Sequence, residues 1–348
     1  MGKKRIGILT GGGDVPPLNA VIASAQRTCR EEDVELFGFL RGWWGVLENK
    51  YVNLGNLDLD PSIGGTILKS SRVRLDRLGG RIEQALRNLH SADIQGLIVV
   101  GGEGSLKIAL ELAQKGVNII GVPKTIDNDL METDVTFGFN TALETATDAL
   151  DKLHTTAESH HRVMIMEVMG RYAGWIALEC GIAGGADVIL IPEIPFSIDR
   201  ICQAAQTRRQ GGSRFSIIVV AEGAYPLDGN RVVVEGTNET RPVERLGGIG
   251  DYVAKKIAGC LDMDVRVTVL GHLQRGGSPS TFDRCLGSRF GIKALDLIGK
   301  NDYGKMVSLK GGAITSVEIE SAVRKLKLVD PDGEMVGCAE ELGIKLGR

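Results

Sequence analysis

A polar loop after a predicted buried strand carries the side chains of this 348-residue sequence that are best suited to chemistry. The apolar run 117–120 predicts the strand, and residues 121–130 then place Lys124, Asp127 and Asp129 at its carboxyl end. In an open α/β sheet, ligands bind at that edge. One carboxylate could take a proton from a substrate hydroxyl while the other helps to hold a cation. The alternative interpretation is a solvated Asp/Asn turn, and the loop alone does not decide between the two.

Two glycine-rich turns, each between a predicted strand and a predicted helix, indicate phosphate binding. They are residues 11–14 and residues 101–105. Such turns present backbone N–H groups to a phosphate, and Glu103 in the second turn could hold Mg²⁺ directly or through water. The first turn lacks the Gly-Lys-Ser/Thr of a P-loop. Because both turns and the 121–130 loop follow strands, we predict that they converge on one cleft at the carboxyl edge of a sheet.

A basic segment, residues 62–77, combines a Gly64-Gly65 bend with hydroxyl side chains and four cations. The cations are Lys69, Arg72, Arg74 and Arg77. A solvated basic face is the simpler interpretation. Because the glycines and hydroxyls stand beside the charges, an anion-facing loop is favoured here.

The second half of the chain places further polar groups at predicted strand ends. Arg171 follows the strand 163–168, Glu222 follows the strand 215–220, and a glycine-rich loop with His272 and Arg275 follows the strand 265–270. Guanidinium groups suit bidentate contact with phosphate. His272 and Arg275, together with Arg266 one strand length earlier, indicate a pocket for a dianionic phosphate.

Composition and charge exclude several classes of function. The net charge of −3 offers no electrostatic case for a nucleic-acid or membrane partner, and no apolar run approaches the roughly 20 residues needed to span a bilayer. The N-terminus shows no signal peptide. The six cysteines are far apart, which favours buried small hydrophobes in a reducing compartment over disulfides or a zinc site. We therefore expect a cytoplasmic protein.

The pattern of apolar runs predicts an α/β fold. Strands and helices alternate along most of the chain, which implies mainly parallel sheets with right-handed crossovers. A long helix over about 139–160 is predicted to mark the passage into a second domain, and the absence of a low-complexity linker predicts that the two halves pack closely.

With these motifs in hand, the sequence resembles the 6-phosphofructokinases, from the first glycine turn to about residue 300. The resemblance rests on the Pro-Lys-Thr-Ile-Asp-Asn-Asp run at 123–129, Met-Gly-Arg at 169–171, Gly-Gly-Ala-Asp-Val-Ile-Leu-Ile-Pro-Glu at 184–193 and Gly-His-Leu-Gln-Arg-Gly-Gly-Ser-Pro at 271–279. It is strongest to the branch that mixes features of the ATP- and pyrophosphate-dependent enzymes. The fold it implies has two three-layer, Rossmann-like lobes.

The resemblance also implies a role for each matching residue. Asp127 is expected to be the general base that deprotonates the 1-hydroxyl of fructose 6-phosphate, with Thr125 and Arg171 stabilising the transferring phosphoryl group. The expected substrate-binding residues are Thr125, Ile126, Asp127, Arg162, Met169, Gly170, Arg171, Glu222, Arg266, His272, Leu273, Gln274 and Arg275. The expected nucleotide-binding residues are Gly13, Arg72, Gly102, Glu103, Gly104 and Ser105. Glu103 and Asp129 are the expected Mg²⁺ ligands, and ATP is the expected co-substrate.

The family likewise implies a lobe arrangement and a partner. We expect a larger lobe, residues 1–138 plus about 248–300, with the ATP and Mg²⁺ site and the catalytic loop. We expect a smaller lobe, about 139–247 plus 301–348, with the sugar-phosphate site. In the family, Arg162 and Arg266 match residues that reach the sugar phosphate of a neighbouring subunit. A homodimer or homotetramer with shared active sites is therefore expected.

Two positions bear on the phosphoryl donor. Pyrophosphate-dependent members have Asp where this chain has Gly104, and they have Lys at the position of Lys124. Gly104 leaves space for the nucleotide α-phosphate, so ATP is the expected donor. Glu103 stands where Asp is more common, which alters the expected metal geometry.

Other functions stay open at this stage. The nearest alternatives are a pyrophosphate-dependent enzyme of the same fold and a kinase for another sugar phosphate, such as sedoheptulose 7-phosphate. A catalytically silent sugar-phosphate or nucleotide sensor would be expected to have lost the base or the phosphate-binding cations, and all of these are present. A dinucleotide-dependent oxidoreductase is disfavoured, because neither glycine turn reads G-x-G-x-x-G with an acidic residue about 20 positions later.

Overall fold

The computed structural model describes residues 3–73, 81–233 and 246–348, and within them the chain is an α/β protein of two compact units. The first unit comprises Met1–Thr141 and Arg275–Leu326, and the second comprises Ala142–Gln274 and Lys327–Arg348. Each unit has its own sheet and its own apolar core. The α/β class and the mainly parallel sheets predicted from the sequence are confirmed.

The first unit is built on a seven-stranded sheet among the described residues. Its strands are β1 (Arg5–Thr10), β2 (Glu35–Phe39), β3 (Tyr51–Asn53), β4 (Gly96–Gly101), β5 (Ile119–Pro123), β10 (Lys305–Lys310) and β11 (Ala313–Glu318). They lie in the order β11-β10-β5-β4-β1-β2-β3, with the two outermost strands antiparallel to their neighbours. The helices of this unit are α1 (Leu18–Glu31), α2 (Trp43–Leu47), α3 (Arg81–Ser91), α4 (Glu103–Gln114), α9 (Thr281–Gly299) and α10 (Ile319–Val323).

The central strands of this sheet are apolar along their length because helices cover both faces. Strand β4 is buried at every residue, which is typical of a parallel strand with no solvent-facing side. Helices α1 and α9 pack closely where Gly291 meets Ser24, and a Cβ on Gly291 would collide with the Ser24 hydroxyl. The parallel register brings the ends of β1, β4 and β5 to one edge.

The second unit is built on a four-stranded parallel sheet in the order β7-β8-β6-β9 within the described part of the chain. Its strands are β6 (Val163–Val168), β7 (Val188–Leu190), β8 (Ser216–Ala221) and β9 (Val265–Val269). Its helices are α5 (Phe139–His160), which begins at the boundary of the units, α6 (Trp175–Ala183), α7 (Ile198–Gln210), α8 (Ile249–Ile257) and α11 (Glu334–Glu341). A 3₁₀ turn, Gly271–Arg275, follows β9. Along the outer edge of β7, Val188 bridges to Lys345 near the C-terminus.

The boundaries of the two units differ from those expected from the sequence. Residues 248–274 were expected in the first lobe, but β9 pairs with β6 and so belongs to the second unit. Residues 301–326 were expected in the second lobe, but β10 pairs with β5 and so belongs to the first unit. Strand pairing between distant parts of the chain decides both assignments.

Two cysteines depart from the prediction of free thiols. Cys202 on α7 and Cys260 after α8 form a disulfide, with their Cα atoms 6.2 Å apart. The other four cysteines are free: Cys29 and Cys180 are buried, whereas Cys285 and Cys338 are exposed. Burial raises the pKa of the Cys29 thiol to about 12 and also raises the pKa of Cys180. The predicted buried, apolar character therefore holds for those two side chains.

Within residues 3–73, 81–233 and 246–348, no helix has the length and apolar content needed to cross a membrane.

A buried carboxylate joins the start of α5 to the start of α9. Asp283 is fully buried, and its carboxylate accepts hydrogen bonds from the backbone N–H groups of Gly138 (2.9 Å) and Thr141 (2.8 Å) and from the Thr141 hydroxyl. Its own backbone N–H donates to the Ser280 hydroxyl at the N-cap of α9. The Asp283 side chain thus accepts hydrogen bonds from N–H groups at the start of α5 that have no acceptor within that helix.

We expect Asp283→Ala to lower the free energy of unfolding by on the order of 3 kcal/mol, because it leaves buried donors without an acceptor. Urea unfolding measures the change. Asp148→Ala, which removes an exposed carboxylate paired with Lys152 on α5, is the control and should change stability little. Equal stabilities of the two variants would contradict the assigned role of Asp283.

Candidate active site

The loop after β5 is held in one conformation by hydrogen bonds within the first unit. The Thr125 hydroxyl accepts from the backbone N–H of Asp127 at 3.0 Å, so the two residues form a tight turn. The Thr136 hydroxyl donates to the Thr125 carbonyl at 2.8 Å, and the Asn128 side chain accepts from the Thr136 N–H at 3.1 Å. Asn128 lies in the left-handed region, with φ +51°, which asparagine tolerates better than most residues. The alternative of a solvated turn is therefore wrong.

The reactive side chains of this loop are largely withdrawn from solvent. Thr125 and Asp127 are each 9% exposed and Lys124 is 3% exposed, while Ile126 between them is buried in the core. A carboxylate at a largely dehydrated strand end interacts more strongly with nearby charge than one in water. The loop therefore offers a fixed acceptor for a proton and a fixed cation.

Lys124 connects this loop to the first glycine turn. Its ammonium group donates to the carbonyl of Gly13. Burial, which has the largest effect, and the positive charge of Arg275 together lower the pKa of Lys124 to about 7, although Asp127 and Asp14 act in the opposite direction. Lys124 is consequently a cation that titrates near neutral pH.

The first glycine turn is bordered by a second cation and by the basic segment. Arg275 donates to the Asp14 carbonyl at 3.1 Å, and a Cβ on Gly13 would lie 2.6 Å from the Arg275 guanidinium. The Ser70 hydroxyl donates to the Gly12 carbonyl at 2.7 Å, which places the segment leading to Arg72 beside the turn. Arg74 and Arg77 lie outside the described residues.

The second glycine turn opens α4 directly beside the other two segments. Gly102 is the N-cap of α4, and the backbone N–H of Lys124 donates to the Gly101 carbonyl at 3.0 Å. A Cβ on Gly11 would collide with the Ser105 hydroxyl, so the two glycine turns touch. The predicted meeting of the three segments at one edge is confirmed.

Gly104 and Glu103 have contrasting surroundings within the second turn. A Cβ on Gly104 would meet no atom within 4 Å, so the space beside it is open. Glu103 pairs with Lys107 one helical turn later, at 2.5 Å. Across the described residues, no three His, Cys, Asp or Glu side chains form a ready-made metal site.

The second unit places Arg171 and Glu222 together. The Arg171 N–H donates to the Glu222 carboxylate at 3.1 Å, and Arg171 adopts φ +56°. A Cβ on Gly223 would collide with the Arg171 carbonyl, so only glycine fits there. The Arg171 guanidinium lies over the ring of Tyr172, 5.1 Å from its centroid. The guanidinium is thus presented from a constrained backbone.

A cavity of about 190 Å³ lies at the carboxyl ends of β6, β8 and β9 in this unit. Three of the expected substrate residues line it, namely Met169, Glu222 and His272. Glu167, Leu246, Gly247 and Gly248 also line it, and the sequence analysis missed them. A buried acidic residue within an otherwise apolar strand was the only available signal for Glu167.

Three further expected substrate residues, Gln274, Leu273 and Gly170, do not line the cavity. Gln274 is fully buried, and its side-chain oxygen accepts from the Met169 N–H at 2.8 Å, so it supports the cavity from behind. Leu273 is 69% exposed. Gly170 stands between Met169 and Arg171 with φ +143°, a conformation that requires glycine.

Arg162 and Arg266 meet at one carboxylate in the second unit. Arg162 pairs with Asp264 at 2.9 Å, and Arg266 pairs with the other oxygen of Asp264. The two residues are close because Arg162 immediately precedes β6, Arg266 lies on β9, and these two strands are paired. Asp264, which sequence reasoning missed, therefore brings together two cations that the resemblance predicted to act on one phosphate.

Comparison with known proteins gives consistent matches over almost the whole chain. The family model described as Phosphofructokinase matches residues 5–298. A Clostridium perfringens protein named ATP-dependent 6-phosphofructokinase 2 is 49% identical over 358 residues, covering 98% of this chain and 98% of that protein. An ATP-dependent 6-phosphofructokinase of Chloroflexus aurantiacus is 49% identical over 357 residues, covering 99% of this chain and 98% of that protein.

A solved structure agrees with the fold. The crystal structure of Pichia pastoris phosphofructokinase in the T-state matches with a TM-score of 0.83 at 29% sequence identity. The match covers 99% of this chain, whereas this chain spans only 37% of that one. The two units described above therefore correspond to part of a longer polypeptide in that protein.

The lowered pKa of Lys124 predicts a specific pH dependence of stability. Between about pH 7 and the ordinary lysine pKa of 10.5, the unfolded chain binds a proton at this position that the folded chain does not. The free energy of unfolding should therefore rise with pH through this group, by at most about 1.4 kcal/mol per pH unit. Lys124→Met removes this contribution.

The measurement is urea unfolding of both proteins at several pH values from 7 to 9. The stability of the wild type relative to Lys124→Met should increase with pH. Lys107→Met, which also removes a lysine but from the partly exposed face of α4, is the control and should run parallel to the wild type. If the stability of Lys124→Met also ran parallel to that of the wild type across this pH range, the pKa of Lys124 would not be lowered by folding.

Proposed function

The chain belongs to the phosphofructokinase family, and we propose that it transfers the γ-phosphoryl group of ATP to O1 of fructose 6-phosphate. The products are fructose 1,6-bisphosphate and ADP. The observation that carries this proposal is the buried Asp127, fixed by Thr125 beside two glycine turns that suit phosphates. Two relatives of 49% identity that bear the name ATP-dependent 6-phosphofructokinase support it.

In the proposed reaction, Asp127 takes the proton from the 1-hydroxyl of fructose 6-phosphate. The hydroxyl oxygen attacks the γ-phosphorus of ATP in line with the leaving ADP oxygen. Phosphoryl transfer needs positioning and charge stabilisation more than covalent help. The hydrogen bonds that Thr125, Asn128 and Thr136 make supply the positioning, because they fix the backbone on both sides of the base. Thr125 and Arg171 are proposed to stabilise the transferring group.

The donor side of the proposal uses the first unit. Gly13, Gly102, Gly104 and Ser105 offer backbone and hydroxyl donors to the phosphates. Lys124 and Arg72 supply positive charge near the first turn. In the proposal these residues bind and orient ATP.

Glu103 and Asp129 fit a Mg²⁺ ion in the chemistry of their donors, because this ion prefers oxygen ligands and is commonly held by one or two carboxylates plus substrate phosphates. The position of Glu103 at the start of α4, beside the open space at Gly104, supports this assignment. Bound there, Mg²⁺ would neutralise charge on the β- and γ-phosphate oxygens. Lys107 would then exchange its contact with Glu103 for solvent.

The acceptor side of the proposal uses the second unit. The cavity near Met169, Glu222 and His272 has the size and the polar groups for the sugar of fructose 6-phosphate. Arg162 and Arg266 are proposed to bind the 6-phosphate of a neighbouring subunit, which makes the protein a homodimer or homotetramer. Their exposure and their meeting at Asp264 support a shared anion contact. We place this reaction in the cytoplasm.

Pyrophosphate is the second candidate donor, and one observation favours it. The buried Lys124 ammonium contacts the first glycine turn, where it could hold the charge of a compact anion. Gly104 favours ATP, because no atom lies within 4 Å of the position of its missing Cβ and the space proposed for the α-phosphate is open.

The donor is tested by initial rates of fructose 1,6-bisphosphate formation with Mg²⁺ and either ATP or pyrophosphate at equal concentration. We expect turnover with ATP, and in Gly104→Asp a fall of at least tenfold with ATP, because the new carboxylate occupies the space of the α-phosphate and repels it. Gly299→Asp, at the exposed end of α9 with open surroundings and no positive φ, controls for added charge. Turnover of the wild type with pyrophosphate alone would reject ATP as donor.

The general base is tested with Asp127→Ser. We expect kcat to fall by roughly 10²- to 10⁴-fold, the usual contribution of general base catalysis, while the dissociation constant of fructose 6-phosphate measured by calorimetry changes little. Asp302→Ser, which alters a surface carboxylate near Lys305, is the control and should retain wild-type kcat. Normal turnover by the Asp127 variant would remove this residue from the mechanism.

A further inference from the structure

Glu167 is a buried acidic residue on the central part of the second sheet that the proposed mechanism does not use. It lies on β6, which pairs with β8 on one side and β9 on the other, and it is 3% exposed. An unpaired carboxylate in such a position is costly. The hydrogen-bond partners of the Glu167 carboxylate therefore indicate its role in the structure.

Both oxygens of the Glu167 carboxylate bind the first turn of α8. One accepts from the N–H of Gly248 at 3.1 Å and the other accepts from the N–H of Gly250 at 2.8 Å. Gly248 is the N-cap of this helix, has φ +83° and has no side chain that could cap it. The Glu167 carboxylate on β6 thus takes the place of an N-cap side chain for α8, and it also interacts favourably with the helix dipole.

The approach of α8 to Glu167 leaves little free space. A Cβ on Gly250 would lie 3.0 Å from a methyl carbon of Val267 and 3.2 Å from the Glu167 carboxylate. The backbone of the helix start is therefore pressed against the sheet, and its position depends on the acceptor that Glu167 provides.

The same contacts shape the wall of the cavity. Gly247 and Gly248 line it together with Glu167 itself and with the residues that follow on β6. The Glu167 carbonyl also accepts from the N–H of Leu270 at 3.0 Å, which fixes the start of the turn that carries His272. One residue consequently holds two of the segments that enclose the cavity.

We propose that Glu167 is a positioning residue of the sugar-phosphate site: its carboxylate holds the 247–250 segment in the conformation that closes the cavity around the sugar. The inference rests on the proposed function, because it concerns the acceptor site of that reaction. It assigns Glu167 no contact with the reacting atoms.

The ionisation of Glu167 should control this contact. Burial raises the pKa of Glu167 above the ordinary glutamate value, the N–H groups of Gly250 and Gly248 oppose that shift, and Asp251 on α8 adds to it. Glu222 after β8 and His272 after β9 are the other titratable groups facing the cavity. A protonated carboxyl group keeps one acceptor and loses the other to its own proton, so the 247–250 segment loosens as the pH falls through this raised pKa.

The test compares Glu167→Gln with the wild type. The amide keeps the size of the side chain but turns an NH₂ group towards one of the two N–H donors. We expect the KM for fructose 6-phosphate to rise roughly tenfold, as for loss of a hydrogen bond to a charged group, with the KM for ATP changed less than about twofold on the same grounds. The KM of the wild type for the sugar phosphate should rise towards that of the variant as the pH falls, and that of the variant should stay nearly constant.

Glu179→Gln is the matched control. Glu179 lies on α6 in the same unit and also has a pKa raised by burial, but it is not among the residues lining the cavity. Its replacement should leave the KM for fructose 6-phosphate and its pH dependence unchanged.

Amide hydrogen exchange of residues 246–257 separates this inference from the proposed function. Faster exchange in Glu167→Gln than in Glu179→Gln is expected. Unchanged exchange, or faster exchange with an unchanged sugar-phosphate KM, would overturn the positioning role. A wild-type protein that neither binds nor phosphorylates fructose 6-phosphate would reject the proposed function, and the exchange result would still decide whether Glu167 holds α8.

Discussion

The hydrogen bond from the Lys124 ammonium to the Gly13 carbonyl is the contact on which the donor side of this protein depends. It joins the loop after β5 to the turn after β1, two segments more than 100 residues apart. A buried cation needs an acceptor, and the Gly13 carbonyl in the turn after β1 provides one. The turn and the loop therefore fix one another, and the position of Asp127, the proposed base, depends on both.

In the second unit, acidic side chains rather than a lysine hold the backbone at the strand ends. There, the carboxylates of Glu167 and Glu222 accept from backbone N–H groups of glycine-rich turns and of Arg171. In both units, a charged side chain on or just after a strand holds backbone that contains glycine. Phosphoryl transfer requires reacting groups to be held before reaction begins, and backbone contacts to buried charges give that rigidity without filling the site with side chains.

Much of this arrangement could be predicted from local patterns. The apolar runs located most strands, and the motifs at 101–105 and 121–130 predicted that these two segments meet, because each stands directly after its strand. The sequence did not indicate that β10 joins β5, since a short strand carries no marker for a partner about 180 residues away. Glu167, Asp264 and the Cys202–Cys260 disulfide were missed for a related reason. Each acts through a contact that only the folded chain brings together.

The neutral-range pKa of Lys124 has a consequence for the heat of binding. At pH 7 about half of the molecules carry a proton on this side chain when no ligand is bound. An anion arriving beside it favours the charged form, so binding draws a fraction of a proton from the buffer. The calorimetric enthalpy of donor binding will then vary with the ionisation enthalpy of the buffer. The slope of the binding enthalpy, plotted against the ionisation enthalpy of the buffer, gives the number of protons that the Lys124 amine takes up on binding.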